Sequence, residues 1–169
     1  MPDIFISHIH EHEALAMALL QFIRNELGQS TAVFLSSDTW QIHAGEIWLD
    51  RIREELASAK IVVLLLNEES VKRPWVNFEA GAAWITKKII IPVCFGGITK
   101  ASLPKPYSNI QALDLEDDNY YLIRSIHQHL GPTGVRFTTP PPTTARFGMV
   151  KAAIDSLKHG GEAGEKKGE

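Results

Sequence analysis

The sequence predicts an α/β protein: a flavodoxin-like three-layer sandwich, with a five-stranded parallel sheet of order 2-1-3-4-5 flanked by helices. Three observations point there. Two short runs, KIVVLLLN (Lys60 to Asn67) and KIIIPVCF (Lys88 to Phe95), are rich in β-branched residues and apolar on both faces, as strands covered by helices on each side must be. Strand-like and helix-like patterns alternate along the chain as βαβαβαβαβα, which implies a parallel sheet with right-handed crossovers. Five strands in 169 residues suit an open, doubly wound sheet better than a barrel.

Each element has its own signal. DIFIS (Asp3 to Ser7) and AVFLS (Ala32 to Ser36) read as the first two strands, and IQALDL (Ile110 to Leu115) as the fifth. Between the first two, Leu15, Leu19, Phe22, Ile23 and Leu27 recur at helical spacing, with Gly28 placed to cap the C-terminus. Trp48, Leu49, Ile52, Leu56 and Ala59 form a second stripe. Pro74 suits the first position of a third helix, where its missing N–H would have no partner anyway. Residues Tyr120 to Leu130 and Arg146 to Leu157 read as two more helices. TTPPPTT (Thr138 to Thr144) is a stiff extended connector, and GGEAGEKKGE is a disordered tail by composition. The expected organisation is one domain over residues 1–158 and a tail over 159–169.

Composition narrows the function. An apolar fraction of 44% and a charged fraction of 22% are ordinary for a soluble globular chain. A net charge of −3 gives no general affinity for nucleic acid or anionic membranes. The lone cysteine, Cys94, rules out an intrachain disulfide framework and fits a reducing compartment. MPDIFISH lacks the features of a secretory signal. The longest aliphatic run, Ile61 to Leu66, is too short to span a bilayer. A cytoplasmic location is expected.

In such a sheet, ligands bind beyond the C-terminal strand ends where the strand order reverses, here between strands 1 and 3. Strand 1 ends at Ser7 and His8, strand 3 near Asn67, and the next helix carries Glu79. A phospho-accepting receiver would need an Asp where Asn67 stands and an acidic pair where Ser7-His8 stands. A flavodoxin would need a hydroxyl- and Gly-rich phosphate loop, and SHIHEHE is not one. Both readings fail.

The residues around the crevice resemble one family. DIFISH is similar to the first box of TIR (Toll/interleukin-1 receptor-like) domains, and SSDTWQIHAGEIWLDRI to their BB loop and following helix. IVVLLLNEESVKRPWVNFEAGAA resembles the strand, the Ser-containing turn and the Trp-x-x-x-Glu helix of TIR domains that cleave NAD, and the resemblance is to their bacterial stand-alone branch. The likeness covers roughly Asp3 to Phe95 and continues more weakly to about Leu130. It implies that Glu79 is the catalytic residue, with Trp75 beside it. Two departures are visible: the loop after Asp38 is longer than in many animal members, and His8 follows FIS where an aromatic is usual.

The residues give Glu79 an independent rationale. On a helix from Pro74, Trp75 and Ala83 lie four residues to either side of it and Val76 and Ala82 three, so all share one face. An isolated helical Glu is usually solvated, but this helix carries almost no other charge before Lys87. In NAD, the bond from ribose to nicotinamide joins an anomeric carbon to a cationic nitrogen that leaves readily. Its cleavage builds an oxocarbenium-like charge on the sugar, as in glycoside hydrolysis. A nearby carboxylate stabilises that charge more in the transition state than in the ground state. No proton need be donated to nicotinamide, so one ionised carboxylate suffices.

Other residues attract weaker readings. HIHEHE invites a metal site through three histidines at period two, but the Leu15 stripe makes the chain helical from Glu11, and no metal is expected. His8 and His10 are expected to line the loop over the crevice and His12 to lie on the surface. Ser7, with the following helix N-terminus, is placed to meet a diphosphate. Trp40 stands in a polar loop, where it would stack on nicotinamide or adenine or pack against a second protomer. His43 belongs to the Gly-containing part of that loop, and Asp38 would shape it or approach the ribose. Trp48 is expected in the core, Ser70 near the start of the third helix, and Cys94 as inert core.

The substrate-contact set is therefore Ser7, His8, Asp38, Trp40, His43 and Trp75, around Glu79. The resemblance implies an NAD glycohydrolase that releases nicotinamide and leaves ADP-ribose, a cyclised form or a conjugate. NAD is substrate here, and no cofactor is implied. The setting would be immune defence, with a homo-oligomer forming through the BB loop and a partner effector sensing the nucleotide product. The alternatives are a non-catalytic TIR scaffold assembling through the BB loop and, more distantly, a nucleoside deoxyribosyltransferase.

Overall fold

The computed structural model describes residues 1–37, 48–131 and 144–164. Five parallel strands, β1 (Ile4–His8), β2 (Val33–Ser37), β3 (Ile61–Leu66), β4 (Ile89–Cys94) and β5 (Leu113–Asp114), form one sheet. Their order is β2-β1-β3-β4-β5, as predicted. The helices are α1 (Glu13–Leu27), α2 (Trp48–Ser58), α3 (Pro74–Ile85), α4 (Asn119–Leu130) and α5 (Thr144–Gly164).

Two apolar layers sandwich the sheet. On one face Ile4, Ile6, Val63 and Leu65 meet Leu15, Leu19, Phe22 and Ile23 of α1, together with residues of α4 and α5. On the other, Phe5, Val62, Leu64 and Leu66 meet Ile52 and Leu56 of α2 and Val76 and Ala83 of α3. Strand alternation sorts successive residues between these layers, which is why β3 can be apolar at all six positions and fully buried. The α1 stripe is buried throughout. Gly28 stops that helix at φ +111°, a conformation L side chains avoid, while its N–H donates to the Arg24 carbonyl at 2.9 Å.

The boundaries differ at several places. β1 continues through His8, because His8 pairs with Ser37 in the ladder. The segment after it turns as a 3₁₀ helix over His10–His12 before α1 begins at Glu13. In α2, Ile52 and Leu56 are buried but Leu49 is exposed, so the stripe is narrower than predicted. α5 runs on to Gly164, since an established helix gains one hydrogen bond per added residue.

β5 shrinks from the predicted six residues to two. Tyr107–Asn109 forms a 3₁₀ turn, and the Ile110 N–H donates back to the Tyr107 carbonyl at 3.0 Å, so the chain enters the strand late. Around the short strand, the Lys100 N–H donates to Asp114 Oδ1 at 2.7 Å and the Asp114 N–H to Asp118 Oδ2 at 2.9 Å. Most of TTPPPTT and the last five residues of the expected tail lie outside the described residues. Among the described residues, no helix is long and apolar enough to cross a membrane.

Candidate active site

Pro74 starts α3, as its fixed φ favours, and Arg73 before it is extended. From that start the helix lies across β1, β3 and β4 and turns Val76, Glu79 and Ala83 inward. Beneath it the sheet changes character along its strands. One cross-strand row is Phe34–Phe5–Val62, wholly apolar; two residues further on, the row is Ser36–Ser7–Leu64. Period-two alternation keeps both rows on the α3 face. The two serines are small enough to leave room for a polar group, and Glu79 occupies it. Its side chain is 0% exposed, and Ser36 Oγ donates a hydrogen bond to Glu79 Oε1. Ser7 is equally buried, and its hydroxyl has no hydrogen-bond partner among the described residues.

Alternation sends His8 to the opposite face from Ser7, where a second polar group gathers at the strand ends. His12 is 2% exposed, its ring edge-on to Phe95 with centroids 4.9 Å apart. Burial pushes its pKa down to about 4, with nearby Glu69 and Glu11 opposing the shift and His8 adding to it. After β3, Asn67 Oδ1 accepts the backbone N–H groups of Glu69 (3.1 Å) and Ser70 (2.9 Å). Ser70 Oγ accepts the Asn67 N–H at 2.8 Å and donates to the Leu65 carbonyl at 3.0 Å. Ser70 therefore stitches the turn between β3 and α3 and does not cap α3, whose preceding residue, Arg73, makes no side-chain cap.

Arg73 ties the two loops together. Its Nη2 donates to Glu11 Oε1 at 2.7 Å and Glu69 Oε1 at 2.6 Å, joining the turn after β1 to the turn after β3. These carboxylates raise the guanidinium pKa, and Arg73 in turn helps hold Glu11 below the ordinary carboxylate value, after a larger backbone hydrogen-bond effect.

The outer face of α3 is apolar as well. Phe78, Trp84 and Ile85 are 57%, 72% and 75% exposed. Trp84 lines a groove of about 520 Å³ with Ala80, Gly81, Pro106, Tyr107 and Ile110. The absence of charge on this helix thus reflects two apolar faces, one in the core and one at the surface.

Ser7, Trp75 and Glu79 share the α3 side of the sheet; His8 lies across it. Trp75 is half-buried, packs on the core below α3 and stacks on Phe78 with centroids 5.7 Å apart. Asp38, Trp40 and His43 lie outside the described residues, as does the side chain of Trp48. His10 is exposed and pairs at 3.7 Å with exposed Glu13. His12, expected on the surface, is instead buried, because the 3₁₀ turn rotates it beneath the loop. Sequence reasoning missed Ser36. Its signal was available: Ser36 and Ser7 each stand two residues after a phenylalanine, at matching positions of adjacent strands. Cys94 is buried in β4, and burial pushes its thiol up to about 12. Among the described residues, no group of three or more His, Cys, Asp or Glu side chains could hold a metal ion.

The doubly wound sheet with this strand order agrees with the comparisons to known proteins. The chain belongs to the TIR domain family, which matches residues 4–130. It is similar in structure to the TIR domain of the Toll-related receptor TRR-2 from Hydra magnipapillata, with a TM-score of 0.57 at 14% identity over 75% of this chain and 98% of that one. It also aligns with the TIR domains of the activated Roq1 resistosome, which recognises the pathogen effector XopQ. There the TM-score is 0.47 at 10% identity, over 93% of this chain and 99% of that one. At such identities the Hydra likeness speaks for the fold alone. No curated protein matches the chain.

Proposed function

We propose that this TIR domain is an NAD glycohydrolase with Glu79 as its catalytic carboxylate. The observation that carries the reading is a carboxylate at 0% exposure, hydrogen-bonded to Ser36 at the end of β2. Buried carboxylates are rare unless the fold has a use for them. This one sits in the Trp-x-x-x-Glu setting of the NAD-cleaving TIR branch, with Trp75 on the same helix.

The chemistry follows from the placement. As the ribosyl–nicotinamide bond lengthens, positive charge moves from the pyridinium ring onto the ribose. A carboxylate fixed beside the ribose gains attraction as that charge arrives, and low-polarity walls strengthen it. Water capture of the ribosyl cation yields ADP-ribose; capture by the adenine ring or another nucleophile yields the cyclised or conjugated product. Ser7 and the loop after β1 would meet the diphosphate, His8 the far side of the crevice and Trp75 the nicotinamide end, with Asp38, Trp40 and His43 closing the set. A carboxyl at 0% exposure must be uncovered before substrate can touch it. Homo-oligomer formation through the BB loop would supply that trigger in a cytoplasmic defence effector whose nucleotide product a partner senses.

The test is nicotinamide release from NAD by purified protein, with and without a crowding agent, followed chromatographically. Wild type should release nicotinamide under at least the crowded condition, and Glu79→Gln should lower the rate about 1000-fold or more. Wild-type turnover in Glu79→Gln would remove Glu79 from the mechanism. The exposed Phe78, Trp84 and Ile85 favour a second reading, an interaction module. Nicotinamide absent under every condition would select it.

A further inference from the structure

We infer that Ser36 is the positioning residue for Glu79: its hydroxyl, held rigidly by the sheet, selects the one carboxylate placement that the reaction uses. The inference rests on the proposed glycohydrolase reading and adds a residue to it.

A glutamate reaches its carboxylate through three rotatable bonds, and a side chain of that length gives up about 1.5–2 kcal/mol of rotamer freedom when it is fixed. A catalytic group must nevertheless sit within about 0.5 Å of its productive place. The α3 backbone sets the position of the Glu79 Cα, and the buried residues one turn to either side, Val76 and Ala83, are apolar. The donor comes from another strand. Ser36 lies 43 residues earlier in the chain, is fully buried, and belongs to the β1–β2 ladder, where it pairs with Ser7. Its single rotatable bond and fixed backbone make it a far stiffer mount than the side chain it holds.

The placement is also specific. The row immediately before Ser36 on this face is Phe34–Phe5–Val62, which has no donor and no space. Ser7, the adjacent hydroxyl in the same row, makes no hydrogen bond among the described residues. Of the two hydroxyls in this row, Ser36 is the one that bonds the Glu79 carboxylate among the described residues. A serine at this point gives nothing to the core: a buried hydroxyl needs a partner to be tolerated, and its partner is the proposed catalytic group.

The experiment compares Ser36→Ala, which keeps the size and deletes the donor, with Ser36→Thr, which keeps the hydroxyl. In the crowded NAD assay, Ser36→Ala should lose about 30-fold in kcat with KM within about twofold, because a misplaced carboxylate weakens the transition state more than substrate binding. Ser36→Thr should recover most of the loss. An unchanged kcat in Ser36→Ala, or an equal loss in both variants, would overturn the inference. A second readout does not depend on activity: side-chain ¹³C relaxation of Glu79 should show a more mobile carboxyl-bearing arm in Ser36→Ala, and unchanged order would overturn the inference. If wild type releases no nicotinamide, the glycohydrolase reading fails by itself and the relaxation result decides whether Ser36 holds Glu79.

Discussion

Asn67 donates its side-chain amide to Nε2 of His12, 3.2 Å away and 55 residues earlier in the chain. The direction of that bond is fixed by the turn. Asn67 Oδ1 already accepts two backbone N–H groups, from Glu69 and Ser70, so the amide nitrogen must be the end that faces His12. Nε2 is therefore an acceptor, and the one ring proton of neutral His12 sits on Nδ1. A pKa of about 4 agrees with that state.

The first prediction follows from this histidine. Its pKa is near 6.5 in the unfolded chain and about 4 in the folded one, so between those values the unfolded state binds more protons. Stability from this group is complete above pH 6.5 and is lost as pH falls toward 4, by about 3 kcal/mol in all. Urea titrations from pH 7 to 4 should show it. His12→Gln, which retains an acceptor for Asn67 but cannot titrate, should flatten that slope. Parallel slopes for the two proteins would rule out His12 as the acid-sensitive group.

Ser70 offers a second test. Removing its hydroxyl in Ser70→Ala strands the Asn67 N–H and takes one donor from the Leu65 carbonyl. A loss of about 2 kcal/mol is expected in chemical denaturation. A change below about 0.5 kcal/mol would mean that water replaces the hydroxyl.

Glu79 separates chemistry from folding when two variants are compared. Both Glu79→Gln and Glu79→Ala should stop nicotinamide release. Gln still presents an oxygen to Ser36, whereas Ala leaves a buried hydroxyl without its acceptor and opens a cavity. Ala should therefore be the less stable by about 2 kcal/mol. Equal unfolding midpoints would show that the Ser36–Glu79 bond carries no weight in the fold.

Cys94 provides the fourth. With its thiol near 12, only about one molecule in 10⁴ carries the reactive thiolate at pH 8. A chromogenic disulfide should leave the native protein unlabelled and react promptly once urea unfolds it. Rapid labelling of native protein would place Cys94 nearer the surface than β4 allows.

β3 and β4 announced themselves because strands buried on both faces need unbroken apolar runs, and Pro74 marked α3 because its missing N–H fits only a first turn. Glu79 stood out by the company it keeps on its helix. Ser36 did not, since its meaning depends on register: only when β2 pairs with β1 does it fall beside Ser7 and beneath α3. His12 was misplaced for a similar reason. A three-residue 3₁₀ turn has too short a period to leave a pattern, yet it decides which side of the chain is buried. The brevity of β5 was hidden as well, because the 3₁₀ turn over Tyr107–Asn109 that takes the Ile110 N–H leaves no pattern of its own.

That brevity has a consequence for how copies of this molecule can meet. The sheet ends at β5 with two residues, and Asp114 there is already engaged by Lys100 and Asp118. A foreign strand approaching this margin finds almost no template to extend, which protects a concentrated sample from runaway fibrous stacking. Contacts made on this flank must instead be built from loop and helix surfaces, whose geometry can close into a finite, reversible assembly.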